Sequence, residues 1–199
     1  GNTVVLKPSS DSPTIAAKFM EIVEEVRLPA GVVNYISGSA KTGEAMVTHP
    51  KTRFISFTGS KGVGLHINEE AAKTRPGQIW IKRVVAEMGG KDAIVVADDA
   101  DLDAAASGAV SAAFGFQGQK CSACSRLIVD EKVHDELMAK VVELTNKLVQ
   151  GQPDDASTNV AAVINKRSFD TTMKYIAKGI EEGGELLTWF WKPAENVHE

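Results

Sequence analysis

Cys121 is the residue in this sequence best suited to covalent chemistry. It stands in the run Phe114 to Arg126, F-G-F-Q-G-Q-K-C-S-A-C-S-R, where Gly115 and Gly118 punctuate the approach and let a backbone pass close to a substrate. A thiolate adds to carbonyl carbon, and an unperturbed thiol with a pKa of about 8.5 is only a small fraction ionised at neutral pH. Lys120 beside it would favour the thiolate. Two other readings stand next to this one: a plain buried cysteine, and a redox pair with Cys124 through C-S-A-C. A redox C-x-x-C is expected to open a helix directly after a strand near the start of a chain, whereas this one lies mid-chain after a predicted helix. Glu87, 34 positions before Cys121, ends an apolar run and is followed by Met88-Gly89-Gly90-Lys91. Such an acid at a crevice mouth can serve as a general base, and a solvated surface glutamate is the alternative.

Composition narrows the classes of partner. The 199 residues are 43% hydrophobic and 24% charged, which is the balance of a globular chain able to bury a core in one or two domains. A net charge of −4, with lysines and arginines dispersed among acids, argues against nucleic acid or a membrane surface as partner. Only Cys121 and Cys124 are present, and His49, His66, His134 and His198 lie far from them, so no metal-ligand spacing is seen and no metal is expected. No apolar run reaches the roughly 18 residues of a membrane span, and the amino end lacks a signal pattern. The reading is a cytoplasmic protein.

The elements that must position Cys121 and Glu87 follow from periodicity. Thr3 to Leu6 reads as a strand, Pro13 to Val26 as a helix with Ile15, Phe19, Ile22, Val23 and Val26 on one face, and Val32 to Ile36 as a second strand. This β-α-β order implies parallel pairing. Gly38 to Gly43 reads as a loop, Glu44 to Thr48 as a short helix, and Arg53 to Phe57 as a strand. Thr58-Gly59-Ser60 then opens a helix to about Lys73. Gly59 and Ser60 before a fresh helix N-terminus make a seat for a phosphate, although G-S-x-x-x-G is not the usual dinucleotide fingerprint and an ordinary strand-to-helix turn reads as well. Ile79 to Met88 and Ala93 to Ala97 are strand candidates. Asp98, Asp99 and Asp101 lead into an alanine-rich helix to Phe114. A strand at Leu127 to Val129, a helix at Glu131 to Leu148, a polar linker at Gln150 to Thr158 and a helix at Asn165 to Glu182 complete the pattern. The class is α/β with a Rossmann-like, mostly parallel sheet and flanking helices, divided near Gly89-Gly90.

Four segments occur in the order and spacing of one superfamily: Lys7-Pro8-Ser9-Ser10, Phe57-Thr58-Gly59-Ser60, Glu87-Met88-Gly89-Gly90-Lys91 and Gly118-Gln119-Lys120-Cys121. Over residues 1 to about 187 the chain resembles the NAD(P)-dependent aldehyde dehydrogenases, and G-Q-I-W-I-K-R-V-V-A-E-M-G-G-K-D looks most like the bacterial branch that oxidises L-glutamate γ-semialdehyde in proline and arginine breakdown. The resemblance implies that Cys121 is the nucleophile, passing through a thiohemiacetal and a thioester, and that Glu87 activates the hydrolytic water from a partly apolar seat beside Met88. It gives the backbone N–H of Cys121 part of an oxyanion hole, a contribution of about 3 kcal/mol. For the cofactor it implies Lys7 at the adenosine ribose, Gly59 and Ser60 at the pyrophosphate, and Phe57, Val63 and Met88 lining the adenine and nicotinamide ends. Ser10 stands where many relatives carry a glutamate that bonds the ribose and repels a 2′-phosphate, so a neutral serine weakens the case against NADP; NAD is still the cofactor expected, with NADP possible. Lys120 and Ser122 would face the substrate, Ser122 helping to hold its carboxylate. Full-length relatives are expected to be homo-oligomers.

The same resemblance divides the chain into a partial dinucleotide-binding domain (1–89), a partial catalytic domain (90–187) and a tail (188–199) that does not match. The loop Gly38 to Gly43 reads as one residue short. An oxyanion-hole asparagine before Gly1, and a nicotinamide clamp, a substrate-carboxylate loop and an oligomerisation hairpin after the present end, are expected to be missing, as in a fragment. Loss of one oxyanion donor alone costs roughly 100- to 1000-fold in rate. A purified polypeptide of residues 1–199 is therefore expected to oxidise glutamate semialdehyde very slowly; brisk NAD-dependent turnover in a spectrophotometric assay would contradict this.

Overall fold

The computed structural model describes residues 1–188; of the predicted tail, residues 189–199 lie outside the described residues. The chain forms two compact units, one of Gly1–Met88 and one from Gly89 onward.

In the first unit, β1 (Val4–Leu6), α1 (Pro13–Glu25) and β2 (Val33–Tyr35) form the expected β-α-β, with β1 and β2 parallel and Val4 opposite Val33. Pro13 suits the first turn of α1 because that position needs no intrahelical N–H. The predicted loop at 38–43 is a correction: α2 spans Ala40–Thr48, starting four residues before the predicted Glu44. Ser39 in extended conformation begins it, and alanine and lysine carry the helix across Gly43, whose cost is about 1 kcal/mol against alanine.

β3 (Phe54–Thr58) leads into α3 (Lys61–Ala72), and β4 (Arg83–Glu87) pairs parallel with β3 from Phe54↔Arg83 to Thr58↔Glu87. The strand expected from Ile79 is thus shorter at its start. Residues 78–82 are held by side chains instead: Gln78 Nε2 donates to the Trp80 carbonyl (2.8 Å), and Trp80 Nε1 donates to that of Thr52 (3.2 Å). Buried Lys82 places its ammonium on the carbonyls of Val47 and His49 at the end of α2. Burial, reinforced by Arg75, lowers the Lys82 pKa.

The second unit opens with β5 (Asp92–Val96), continues through α4 (Leu102–Phe114) and a turn (Gly115–Gly118) to β6 (Cys124–Val129), and then to α5 (His134–Asn146) and α6 (Lys166–Glu181). Asp101 caps α4 by accepting from the N–H groups of Asp103 and Ala104, as the acidic run suggested. β6 begins three residues earlier than Leu127 and so includes Cys124. α5 begins three residues later than Glu131, because Asp130 uses its side chain on the Lys132 N–H (3.0 Å) and its carbonyl on that of Val133 (3.1 Å), closing a turn first. Leu137 on α5 and Ala106 on α4 are fully buried against Val96, with Ile94, Leu127, Val129 and Val141 packed around them.

Among the described residues the strands pair in parallel, as the α/β reading expected, in three two-stranded sheets, β1-β2, β3-β4 and β5-β6. Among the described residues no helix is long and apolar enough to cross a membrane. Because Leu137 has 0% exposure at the centre of the second unit, Leu137→Ala is expected to lower stability by about 3 kcal/mol, read from urea unfolding of the two proteins.

Candidate active site

The cysteine turn grows directly out of α4. Phe116 and Gln117 adopt φ of 55° and 57°, and Gly118 follows at 66°, so three consecutive left-handed residues reverse the chain. For the two non-glycine residues this conformation costs roughly 1–2 kcal/mol each. The Ala123 N–H then closes a turn on the Lys120 carbonyl (3.3 Å), leaving Cys121 and Ser122 exposed at its corner. Cys121 is a free thiol.

Its backbone is seated tightly: a Cβ built on Gly90 would lie 2.8 Å from the Cys121 carbonyl oxygen and 2.6 Å from Asp92 Oδ2. A side chain at position 90 is therefore excluded. Lys120 places its ammonium over Gly115, 3.5 Å from where a Cβ would stand. Cys124, also free, opens β6 with its Sγ toward the Arg126 carbonyl at 3.3 Å. The C-x-x-C pair thus sits in a turn entering a strand, without the helix N-terminus that activates redox dithiols. Asp92 pairs with Cys124 but Ala93 pairs with Arg126, so a bulge at Ser125 separates the cysteine turn from the regular ladder.

Most of the other predicted residues gather in the first unit, where β3 and β4 end and α3 begins. Glu87 is the last residue of β4, opposite Thr58, and its carbonyl accepts from the Gly59 N–H (3.0 Å). The Phe57 ring covers Gly59 so closely that a Cβ there would lie 2.5 Å from it. Ser60 caps α3, its hydroxyl accepting from the Val63 N–H (3.4 Å), and Val63 is exposed on the first turn. Met88 packs against Gly64, whose Cβ would fall 2.7 Å from the sulfur. Within this unit Glu87 is exposed, and the Met88 side chain beside it packs against Gly64 of α3.

Lys7 and Ser10 lie elsewhere in the unit. Lys7 donates to the Pro8 and Gly38 carbonyls (2.5 and 3.2 Å) and runs along Gly43, while Ser10 occupies an exposed turn before α1. Glu87 belongs to the first unit and Cys121 to the second.

The start of α3 suits the pyrophosphate of a dinucleotide. A 12-residue helix presents its first N–H groups just after Gly59, a position that Phe57 keeps free of any side chain. Gly64 belongs to this constellation and was visible in the sequence only as the last glycine of G-S-x-x-x-G; its role is to admit the Met88 side chain. One further cluster was not legible, because its members come from two helices. Glu44 on α2 and His66 and Glu70 on α3 bring their ligand atoms within 4.8 Å of one another. Glu70 already pairs with Lys73 and Arg75, and His66 Nε2 lies 2.8 Å from Glu44 Oε2, so the acids in this cluster have cationic partners from the chain itself.

The profile of the Aldehyde dehydrogenase family matches residues 1–194. The 1-pyrroline-5-carboxylate dehydrogenase of Bacillus cytotoxicus is 58% identical over 184 residues, 92% of this chain and 36% of that protein. The protein of the same name from Geobacillus kaustophilus is 57% identical over 189 residues, 94% of this chain and 36% of its own length. Among solved structures, 1-pyrroline-5-carboxylate dehydrogenase from Thermus with bound NAD is similar with a TM-score of 0.89 and 43% identity, over 94% of this chain and 36% of that one. Proline utilization A from Bdellovibrio bacteriovorus gives a TM-score of 0.90 and 41% identity over 94% of this chain and 20% of that one. The chain thus spans about 36% of the length of the curated relatives it matches.

The His66–Glu44 pair carries a pH dependence. A hydrogen bond and charge attraction from Glu44 raise the His66 pKa above its ordinary 6.5. The contribution to stability is therefore fully present below pH 6.5 and is lost as pH rises through the higher folded-state value. The difference in urea midpoint between the native sequence and His66→Ala is expected to be larger at pH 5.5 than at pH 9; an equal difference at both would contradict the pairing.

Proposed function

This chain belongs to the aldehyde dehydrogenase family, and from that premise we propose that it oxidises L-glutamate γ-semialdehyde, the open form of 1-pyrroline-5-carboxylate, to L-glutamate in proline breakdown. The observation that carries the reading is the exposed, free thiol of Cys121, presented by a left-handed turn seated against Gly90. Identity of 56–58% to 1-pyrroline-5-carboxylate dehydrogenases over some 184 residues supports the substrate. The Thermus relative with bound NAD supports the cofactor.

In this reading the Cys121 thiolate adds to the aldehyde carbon, and the oxygen that gains the negative charge is met by the Cys121 backbone N–H. NAD, when bound, supplies the two-electron acceptor that takes the resulting adduct to the oxidation level of a thioester. Glu87 removes a proton from the water that attacks the thioester carbon, and Cys121 leaves as the thiolate, releasing the carboxylic acid. Lys120 and Ser122, flanking the nucleophile at the exposed turn, orient the substrate, Ser122 toward its carboxylate. Lys7 reaches the adenosine ribose. Gly59 and Ser60 hold the pyrophosphate at the start of α3, and Phe57, Val63 and Met88 line the cofactor. NAD is the acceptor proposed, after the Thermus relative with bound NAD, and Ser10, being neutral, does not repel a 2′-phosphate, so NADP remains usable. The reading includes a cytoplasmic site of action, a partial dinucleotide-binding domain over residues 1–89 and a partial catalytic domain over 90–187, with homo-oligomers in proteins of the relatives' full length.

Alkylation by iodoacetamide, located by fragment mass spectrometry, tests the site. NAD is expected to slow labelling of Cys121 several-fold while leaving Cys124 unchanged. Equal labelling of both cysteines, indifferent to NAD, would support disulfide-exchange chemistry and sink the dehydrogenase reading. Glu87→Gln is expected to lower hydrolysis of the acylated enzyme on the order of 100-fold without slowing alkylation of Cys121.

A further inference from the structure

Two glutamines of the cysteine turn reach one distant backbone segment. Gln119 Oε1 accepts from the Ile164 N–H at 2.9 Å, 45 residues along the chain. Gln117, with its amide oriented to satisfy both groups, accepts from the Ala161 N–H at 2.9 Å and donates to the Phe116 carbonyl at 3.2 Å. The segment they grip is itself anchored. The N–H groups of Asn159 and Val160 both donate to the Val149 carbonyl (2.8 and 3.1 Å), the Asn159 side chain accepts from the Val149 N–H (2.8 Å), and Gly151 donates to Val160 (3.1 Å). Just beyond Ile164, Asn165 caps α6 by accepting from the Ser168 N–H (2.8 Å).

The need for such a grip is visible in the turn. Phe116 and Gln117 are held at positive φ, where non-glycine residues stay only when the surroundings over-determine them. Within the turn, the Gln119 N–H meets the Phe116 carbonyl (3.0 Å) and Ala123 meets Lys120 (3.3 Å), but these bonds are local. The Gly90 contact seats the far end of the turn at Cys121, and the glutamine side chains tie its left-handed start to the rest of the unit.

We propose that Gln119, assisted by Gln117, is a positioning residue: by accepting the Ile164 N–H it locks the left-handed turn and so fixes the place from which Cys121 attacks. The proposal rests on the dehydrogenase reading for its purpose, but the brace itself can be tested apart from it. Gln119→Leu removes the acceptor while keeping the side chain's bulk, whereas Gln119→Glu keeps an accepting oxygen in the same place.

Hydrogen exchange at the Ile164 amide is the direct readout. In Gln119→Leu it is expected to accelerate at least tenfold, and iodoacetamide labelling of Cys121 is expected to rise about threefold as the released turn samples more attack geometries, with Cys124 unchanged. Gln119→Glu is expected to restore both to native values. Unchanged Ile164 exchange in Gln119→Leu would refute the brace. Faster exchange with unchanged Cys121 labelling would refute its positioning role, as would an equal rise at Cys124, which signals general loosening. A third measurement separates the two readings: NAD protection of Cys121, expected in the native protein and lost in Gln119→Leu. Its absence already in the native protein counts against the dehydrogenase reading and leaves the exchange result to decide the brace.

Discussion

The second unit depends on one close approach, that of the Gly90 backbone to the carbonyl of Cys121. With only 2.8 Å between that oxygen and the point where any Cβ would begin, the two segments meet backbone to backbone, and the pairing of Asp92 with Cys124 starts immediately beside the contact. The ladder of β5 and β6, and the Val96–Ala106–Leu137 core packed on it, then give the cysteine turn a rigid base. The thiol is exposed because the backbone, and not the side chain, does the anchoring. A thiol held in this way is open to reagents in solution without first leaving a packed environment.

The first unit uses the same device twice. Gly59 and Gly64 carry no side chain where the Phe57 ring and the Met88 thioether lie, and these contacts join the end of β3 to α3 and to the residue after β4. The consequence is a strand-to-helix junction at which backbone N–H groups face outward beside two large apolar side chains. That combination, polar at the helix start and apolar at its flank, suits a ligand with an anionic linkage between flat rings.

Ion pairs play a different part. Glu44, His66, Glu70, Lys73 and Arg75 form a surface network joining α2 to α3. Lys82, by contrast, is buried and caps the end of α2 through the carbonyls of Val47 and His49. The network trims stability with pH, whereas the buried ammonium helps to set where β4 begins, because residues 78–82 are committed to these side-chain bonds ahead of Arg83.

What could be read from the sequence was whatever depends on neighbours along the chain. The periodicity of Pro13 to Val26, the cap at Asp101 and the helix from Asn165 were legible because helix faces and first-turn N–H groups are satisfied within a few residues. The segments holding Cys121, Glu87, Phe57-Thr58-Gly59-Ser60 and Lys7 were legible as a family resemblance, because it depends on residue types and spacing alone. Where prediction missed, a local signal competed with a bond from elsewhere: Gly38 and Gly43 suggested a loop but Ser39 and Ala40 start a helix, and an apolar Ile79–Ile81 suggested strand although Gln78, Trp80 and Lys82 hold it out of the ladder. Only the tertiary structure decided that Gly90 must lie under Cys121, that Met88 turns onto Gly64, and that Gln119 reaches Ile164 across 45 residues. These are contacts between segments whose separation in sequence carries no period, so no local preference could have announced them.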